Sequence, residues 1–267
     1  MRVFIAGHKG MVGNAILKKL LAKNEYEIIY RNKSDLDLID QYSVSSFFKK
    51  EKIDCVIICA AKVGGIFANN EYPADFIYEN LQIQTNIIHQ AHLSDIQKLV
   101  FLGSSCIYPK NLGENLTLKE NYLLQGPFEP TNEPYAIAKV AGIKMCESYN
   151  RQYLRDYRCV IPSNLYGPCD NYNLKNAHVI PSLIRKIHEA KLGGVDSVSI
   201  WGDGTPLREF LFIDDMAEAI IFIMKLHKKI FFSNTDSTLS HINVGTGEEI
   251  SILNLAKLLK TIIDYKG

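Results

Sequence analysis

Three glycines at three-residue spacing, directly after the first β-branched run, restrict the fold of this chain more than any other feature. Gly7, Gly10 and Gly13 lie between a strand-like segment (residues 3–6) and an amphipathic segment (residues 11–22). A tight turn from a strand into a helix brings backbone N–H groups at the positive end of the helix within reach of a phosphate. The triplet therefore predicts a dinucleotide site, provided that further βα units follow.

Those units follow through the first two thirds of the chain. Short β-branched runs alternate with segments whose apolar residues recur every three or four positions. The predicted strands are residues 3–6, 27–30, 55–60, 99–102 and 158–161, and the predicted helices are 11–22, 43–50, 74–92 and 134–153. We predict an α/β fold with a Rossmann-type doubly wound parallel sheet.

Beyond residue 165 the alternation is less regular. Two stretches rich in Gly, Pro and Asn, residues 166–176 and 202–206, are typical of loops that carry a binding surface. Further predicted elements are helices at 178–191, 215–227 and 252–264 and a strand at 242–244. We predict a dinucleotide-binding domain over residues 1–165 and a smaller substrate lobe over residues 166–267.

The segment after the second predicted strand indicates which nicotinamide cofactor binds. An acidic residue there accepts hydrogen bonds from the ribose 2′-hydroxyl of NAD, whereas a basic residue accommodates the 2′-phosphate of NADP. Arg31 and Lys33 occupy this segment, and no acid occurs in it before Asp35. Lys9 in the glycine turn adds a positive charge nearby. We predict NADP(H); the alternative is that Arg31 and Lys33 are solvated loop residues.

Tyr135 and Lys139 lie four residues apart in a predicted helix, so both side chains share one face. A tyrosine exchanges protons poorly near neutral pH unless a neighbouring ammonium favours its phenolate. Ser104 follows the fourth predicted strand, whose carboxyl end is where an open α/β sheet places its ligand. Ser104 and Tyr135 can together polarise a substrate carbonyl for hydride attack. Cys106, two residues further on, is either a buried small residue or a reactive thiol.

Several blocks of the sequence resemble the GDP-L-fucose synthase family of extended short-chain dehydrogenases/reductases, in that family's order and over the whole chain. They are Gly-His-Lys-Gly-Met-Val-Gly at 7–13, Ala-Ala-Lys-Val-Gly-Gly at 60–65, Ser-Ser-Cys-Ile-Tyr-Pro at 104–109, Glu-Pro-Thr-Asn-Glu-Pro-Tyr-Ala-Ile-Ala-Lys at 129–139, Asn-Leu-Tyr-Gly-Pro at 164–168, His-Val-Ile-Pro at 178–181 and Trp-Gly-Asp-Gly-Thr-Pro-Leu-Arg-Glu-Phe at 201–210. The first and fourth blocks suit many extended reductases, whereas the third, sixth and seventh are more selective.

The resemblance implies an activity and roles for residues. That family epimerises GDP-4-keto-6-deoxy-D-mannose at C3 and C5 and then reduces C4 with NADPH, giving GDP-L-fucose. Cys106 would be the base, His178 the acid on the opposite face, and Ser104 and Tyr135 the groups that stabilise the enolate oxygen. Read without the family, His178 is more simply a polar residue at the start of a helix.

The resemblance also implies binding residues. Those expected at the cofactor are Gly7, His8, Lys9, Gly10, Met11, Val12, Gly13, Arg31, Leu102, Gly103, Ser104, Ser105, Lys139, Pro162, Ser163, Asn164, Leu165 and His178. Those expected at the GDP-sugar are Asn164, Lys186, Trp201 and Arg208. From the residues alone, Trp201 could equally be a core aromatic of the second lobe.

Rival functions are distinguished by the same residues. A sugar-nucleotide 4,6-dehydratase has an Asp-Glu pair after the serine or threonine of the fourth strand, where this chain has Cys106 and Ile107. A 4-epimerase exchanges no proton at C3 or C5 and therefore does not need a thiol opposite His178. An equivalent enzyme acting on GDP-4-keto-6-deoxy-heptose stays open, and so does a non-catalytic NADP-binding protein, although the retained acid-base residues argue against the latter.

The charge balance and the cysteine spacing indicate which kinds of binding partner the chain is not expected to have. Thirty Lys and Arg residues balance 29 Asp and Glu, without a like-charge run that would indicate nucleic-acid or membrane binding. The six cysteines lack the paired two-residue spacing of zinc sites, and the sequence opens in a strand-like segment without a leader, so we expect no metal and a cytoplasmic protein.

The resemblance implies a homodimer. The resemblance runs to residue 267, where this sequence ends before that family's chains normally do. We therefore expect a substrate lobe that is short at its C-terminus, and a protein that keeps the NADPH site but binds GDP-sugar weakly.

Overall fold

The computed structural model describes residues 1–110, 117–174 and 176–267, and a parallel β-sheet forms its centre. The strands of the described residues are β1 (Arg2–Ala6), β2 (Glu27–Ile29), β3 (Cys55–Ile58), β4 (Lys98–Leu102), β5 (Asp156–Pro162), β6 (Asn164–Tyr166), β7 (Leu207–Phe212), β8 (His241–Val244) and β9 (Glu249–Ser251). Six of them form the large sheet in the order β2-β1-β3-β4-β5-β8, and every neighbouring pair is parallel. Their carboxyl ends therefore lie along one edge.

Helices cover both faces of the large sheet. The helices of the described residues are α1 (Met11–Lys23), α2 (Gln41–Lys50), α3 (Ile66–Glu71), α4 (Pro73–Leu93), α5 (Glu133–Tyr153), α6 (Val179–Gly193), α7 (Ile213–Lys225), α8 (Lys228–Ser233) and α9 (Ile252–Ile263). Successive residues of a strand point to opposite faces. In β1, Phe4 packs in the core beneath α2, α4 and α5, whereas Val3 and Ile5 pack in the core beneath α1 and α7. The predicted doubly wound α/β fold is confirmed.

A smaller sheet and two helices form the second lobe. β6 and β7 pair in parallel, and β7 and β9 pair antiparallel. Helices α6 and α9 pack against each other through a separate apolar cluster that includes Leu183, Ile187, Leu255 and Leu259. The lobe thus has a core of its own.

The chain returns to the large sheet after it has begun the second lobe. β8 pairs with β5, and α7 packs against α1. Residues 213–225 and 241–244 therefore belong with the dinucleotide-binding layers, although the sequence analysis placed them in the lobe of residues 166–267. The physical reason is that β5 ends the predicted strand series with an unpaired edge, which β8 covers. A boundary after residue 165 stays a prediction.

The structure contains several short elements that the sequence did not predict. The three-residue strand β6 ends where the predicted loop of residues 166–176 begins. It is short, and β7 and β9 pair with partners distant in sequence, so local periodicity does not reveal these strands. The predicted helix at 215–227 instead spans Ile213–Lys225. Within residues 1–110, 117–174 and 176–267, the helices are all too short or too polar to cross a membrane.

Candidate active site

A cavity of about 570 Å³ opens along the carboxyl edge of the large sheet, between the glycine turn, the loops after β2, β3 and β4, and the start of α6. Every residue that the sequence analysis assigned to the cofactor lines this cavity, from Gly7–Gly13 and Arg31 at one end to Leu102–Ser105, Lys139, Pro162–Leu165 and His178 at the other. The fold therefore gathers them in one place. Their individual roles stay predictions.

The glycine turn is shaped for close approach of a ligand. Gly7 has φ +89°, a conformation that L side chains rarely adopt, and a Cβ there would lie 2.6 Å from the backbone nitrogen of Ala60. A Cβ on Gly13 would lie 2.9 Å from the Cα atom of His8. The first turn of α1 contains no acidic residue. An anionic pyrophosphate fits a side-chain-free loop at the positive end of a helix, so these residues suit a dinucleotide.

Arg31 lies at the end of the cavity beyond the glycine turn, together with Asn32 and Lys33. Its guanidinium donates to the carbonyl of Tyr30 at 2.8 Å, forms an ion pair with Glu51 and lies 5.4 Å from the ring centre of Phe47. Arg31 is exposed to solvent, and these three contacts orient its side chain. A planar, oriented guanidinium is suited to a phosphate.

Lys139 and Tyr135 lie on α5 at the opposite end of the cavity. The side chain of Lys139 is 3% exposed, and its Nζ donates to the carbonyl of Leu102 at 2.8 Å, at the end of β4. Burial lowers the pKa of Lys139 to about 8, because the ammonium is separated from water. The Nζ atom lies 5.7 Å from the ring centre of Tyr135.

The acidity of Tyr135 differs from the expectation. The sequence analysis required a neighbouring ammonium to favour the phenolate. In the structure, burial raises the pKa of Tyr135, the nearby Cys106 raises it further, and a hydrogen bond with Ser104 only partly opposes this. Tyr135 is therefore a protonated phenol at neutral pH, because desolvation outweighs the hydrogen bond with Ser104.

Cys106 lies in a 3₁₀ turn (Ser105–Ile107) directly after β4. Its backbone N–H donates to the Oγ of Ser104 at 3.5 Å, and its thiol interacts electrostatically with both Tyr135 and Lys139. Burial raises the pKa of Cys106 to about 11, with a smaller opposing effect of the Ser104 hydrogen bond. Cys106 therefore lies beside Ser104, Tyr135 and Lys139, although it is not among the residues that line the cavity, and the site does not by itself lower the pKa of the thiol.

His178 lines the same cavity as Ser104, Tyr135 and Lys139 but belongs to the second lobe. It is exposed, lines the cavity and is the N-cap residue of α6. The segment before it contacts the loop after β3, where the N–H of Gly65 donates to the carbonyl of Asn176 at 3.1 Å. Asp170 lies close enough for the charge of His178 to lower its pKa, although burial raises that pKa overall. His178 and Cys106 thus come from different lobes.

Three of the four predicted substrate residues lie outside this cavity. Only Asn164 lines it, with its Nδ2 donating to the carbonyl of Glu209 at 2.9 Å. Trp201 is 68% exposed, and the Nζ of Lys186 lies 5.4 Å from its ring centre, so Trp201 is not a core aromatic. Arg208 is exposed on β7, two residues before Phe210, which lines the cavity. Residues two apart share one face of a strand, so Arg208 continues that surface.

Some cavity residues were not found from the sequence. They are Leu36–Ile39, Glu79, Ile83, Val179, Ile180 and Phe210. The segment at Leu38 and Ile39 is held by the buried side chain of Asn86 on α4, whose Nδ2 donates to both carbonyls at 3.0 Å. For residues 36–39, only their position after β2, next to Arg31, could have pointed to the cavity, whereas Val179, Ile180 and Phe210 lie in the sequence blocks at 178–181 and 201–210. In the described part of the chain, no group of three or more His, Cys, Asp or Glu side chains could hold a metal ion.

Comparison with known proteins agrees with this geometry. The model of the NAD dependent epimerase/dehydratase family matches residues 3–245. The GDP-L-fucose synthase of Escherichia coli (strain K12) is 56% identical over 266 residues, covering 100% of this chain and 82% of that protein. The GDP-L-fucose synthase of Sinorhizobium fredii (strain NBRC 101917 / NGR234) is 48% identical, covering 100% of this chain and 81% of that protein.

A solved structure shows the same likeness in three dimensions. The GDP-mannoheptose C4 reductase of Campylobacter jejuni with NADP bound has a TM-score of 0.89 and 37% identity, covering 100% of this chain and 86% of that one. The chain belongs to the NAD dependent epimerase/dehydratase family. Its similarity to GDP-L-fucose synthases extends over the whole chain, which confirms the resemblance drawn from the sequence blocks.

The lowered pKa of Lys139 predicts a pH-dependent stability. The native state loses this proton near pH 8 and the unfolded state near 10.5, so between these values the unfolded chain binds more protons and the free energy of unfolding rises with pH. From pH 7.5 to 9.5, we expect the wild type to gain about 2 kcal/mol relative to Lys139→Met. Urea unfolding of both proteins at the two pH values measures this difference, and parallel pH curves would contradict the prediction.

Proposed function

We propose that this chain converts GDP-4-keto-6-deoxy-D-mannose to GDP-L-fucose, epimerising the sugar at C3 and C5 and reducing the ketone at C4 with NADPH. The observation that supports this most is that one cavity is lined by Ser104, Tyr135 and Lys139 and, from the second lobe, by His178, while Cys106 lies close enough to Tyr135 and Lys139 to affect their pKa values. Proteins 48–56% identical over the whole chain are named GDP-L-fucose synthases.

The epimerisation needs two proton-transferring groups and a stabilised enolate. A proton next to a ketone is removed only when the developing charge on the ketone oxygen is stabilised. Ser104 and the protonated Tyr135 can donate hydrogen bonds to that oxygen, Cys106 removes the proton, and His178 returns one on the opposite face. Because burial is the main cause of the raised pKa of Cys106, polar groups of the bound sugar are expected to lower it.

The reduction uses the same hydrogen-bond donors. NADPH, when bound, supplies the hydride for C4. Tyr135 then donates its proton to the C4 oxygen, a task that suits a phenol whose pKa is raised by burial. The ammonium of Lys139 is available to hold a ribose hydroxyl, and the glycine turn Gly7–Gly13 and Arg31 to hold the phosphates.

The GDP-sugar extends from the cavity over the second lobe. Asn164 contacts it inside the cavity, while Arg208 and Lys186 pair with diphosphate oxygens and Trp201 offers an exposed flat face to the sugar or base. Asn164, Trp201 and Arg208 are exposed and Lys186 is half-buried, along or beside β6, β7 and α6. The direction from Asn164 to Arg208 follows the paired strands β6 and β7.

Activity on the predicted substrate tests this function. When purified protein is incubated with GDP-4-keto-6-deoxymannose and NADPH, the NADPH absorbance at 340 nm should fall and GDP-L-fucose should form. Tyr135→Phe should lose hydride transfer by at least a hundredfold, because one proton donor is missing. Cys106→Ser should lose uptake of solvent deuterium at C3 and C5. Deuterium uptake by Cys106→Ser at the wild-type rate would exclude Cys106 as the base.

Parallel incubation with GDP-4-keto-6-deoxy-heptose separates the alternative substrate. A heptose substrate is supported by the 37% identity to the GDP-mannoheptose C4 reductase. A hexose substrate is supported by the 56% identity to the GDP-L-fucose synthase of Escherichia coli (strain K12). A higher kcat/KM for the heptose would replace our proposal, and binding of NADPH without turnover of either sugar would support a non-catalytic protein.

NADP(H) selectivity should depend on Arg31. We expect Arg31→Ala to weaken binding of NADPH about tenfold and to leave binding of NADH unchanged, because only NADPH carries the 2′-phosphate. Arg185→Ala is a matched control: Arg185 likewise pairs with one glutamate, Glu189, and donates to one backbone carbonyl, that of Tyr172. Fluorescence titration with both cofactors gives the dissociation constants. An equal loss for NADPH and NADH would contradict the assignment.

We also infer a cytoplasmic homodimer, formed through α4 and α5. These helices pack side by side, and Tyr78 and Ile137 on them are 58% and 40% exposed. Six free cysteines suit a reducing compartment. Sedimentation equilibrium at micromolar concentration should give twice the monomer mass for wild type and the monomer mass for Ile137→Arg. A monomeric wild type would overturn the proposal.

A further inference from the structure

The turn that carries Cys106 is anchored at its far end by a buried tyrosine. Ile107 is fully buried, and the N–H of Tyr108 donates to the carbonyl of Ser105 at 3.3 Å, which closes the turn. Tyr108 is itself only 5% exposed. Its hydroxyl lies 2.5 Å from the Oδ1 of Asn243 and 3.2 Å from the Nε2 of His241, both on β8.

The two partners of this hydroxyl are themselves fixed. The amide of Asn243 is oriented, because its Nδ2 donates to the carbonyl of Leu118 at 3.1 Å and leaves Oδ1 for the phenol. The backbone N–H of Asn243 donates to the carboxylate of Glu120 at 2.9 Å. His241 is 1% exposed, and burial lowers its pKa to about 4, so its ring is neutral and can donate Nε2–H to the phenol oxygen. The hydroxyl of Tyr108 therefore has both a donor and an acceptor.

The other catalytic groups depend on different anchors. Lys139 is fixed by the carbonyl of Leu102, and Tyr135 lies on the same helix, α5. On the amino-terminal side of the turn, the N–H of Gly103 donates to the carbonyl of Val160 at 2.9 Å, which fixes the backbone before Ser104. Among the predicted catalytic residues, only Cys106 lies inside the turn that ends at Tyr108.

We propose that Tyr108, through Asn243 and His241 on β8, is a positioning residue that aligns the thiol of Cys106 for proton exchange at C3 and C5. This rests on the proposed function. Proton transfer needs the base within hydrogen-bond reach of the carbon-bound proton, and a displacement of about 1 Å can slow a reaction by a hundredfold. Hydride transfer uses Tyr135 and Lys139 on α5 and Ser104, whose preceding backbone is fixed by the bond from Gly103 to Val160. It should therefore depend on Tyr108 much less.

The test compares Tyr108→Phe with a matched control, Tyr157→Phe. Tyr157 is also fully buried and loses one hydroxyl hydrogen bond, to the carbonyl of Ile96 at 3.1 Å, at the amino end of β5 away from the cavity. We expect Tyr108→Phe to slow solvent deuterium uptake at C3 and C5 about tenfold or more and hydride transfer less than threefold. The C4-reduced product should then retain more of the starting C3 and C5 configuration. Tyr157→Phe should keep the wild-type ratio of the two rates.

The outcomes are distinguishable. Equal ratios of exchange to hydride transfer in Tyr108→Phe, Tyr157→Phe and wild type would overturn the positioning role. Should Tyr108→Phe not fold, Asn243→Ala removes the acceptor instead and should give the same selective loss. If wild type exchanges no deuterium, the proposed function fails, and the alkylation rate of Cys106 by iodoacetamide still tests the positioning. A rate altered at least threefold in Tyr108→Phe but not in Tyr157→Phe would support it, and equal rates would overturn it.

Discussion

The close approach of α5 to the carboxyl end of β4 is the constraint on which the site depends. Gly142 on α5 packs against the ring of Phe101 on β4, where a Cβ would lie 2.5 Å from the ring carbon Cζ. The approach brings Lys139, one turn earlier, to the carbonyl of Leu102. A longer side chain at position 142 would push the helix outward and separate the Lys139 ammonium from the strand end. The geometry of the acid-base group therefore begins with backbone packing, not with the catalytic side chains.

Burial governs the chemistry of this group. Desolvation lowers the pKa of Lys139 and raises those of Tyr135 and Cys106, and in each case it is the largest cause. Tyr135 and Cys106 are therefore neutral at neutral pH before a ligand enters, whereas Lys139 keeps its proton there but loses it more readily than a solvated lysine. A site of this kind couples proton transfer to binding, since the polar atoms of a bound sugar and cofactor replace the apolar surroundings that hold the thiol protonated.

The order in which the chain builds its two lobes explains how groups from both meet. Strand β6 begins the second lobe directly after β5 ends. After β7, helix α7 brings the chain back to the large sheet, where it packs beside α1 on the same face. β8 then closes the edge beside β5 and reaches Tyr108. As a result, His178 faces the cavity from the second lobe, while the turn of Cys106 is braced by a strand from the last quarter of the chain. The lobes are interleaved in sequence although each has its own apolar cluster.

Local patterns in the sequence were enough to determine the doubly wound fold, the glycine turn and the spacing of Tyr135 and Lys139, because strand alternation, helix periodicity and tight turns depend on near neighbours. The sequence blocks also identified the family. Only the tertiary structure decided that Glu51 holds Arg31, that Leu36–Ile39 and Phe210 line the cavity, and that Trp201 is exposed. It alone showed that burial raises the pKa of both Tyr135 and Cys106. These features depend on which distant residues meet and on how much water they exclude, and no local spacing encodes either.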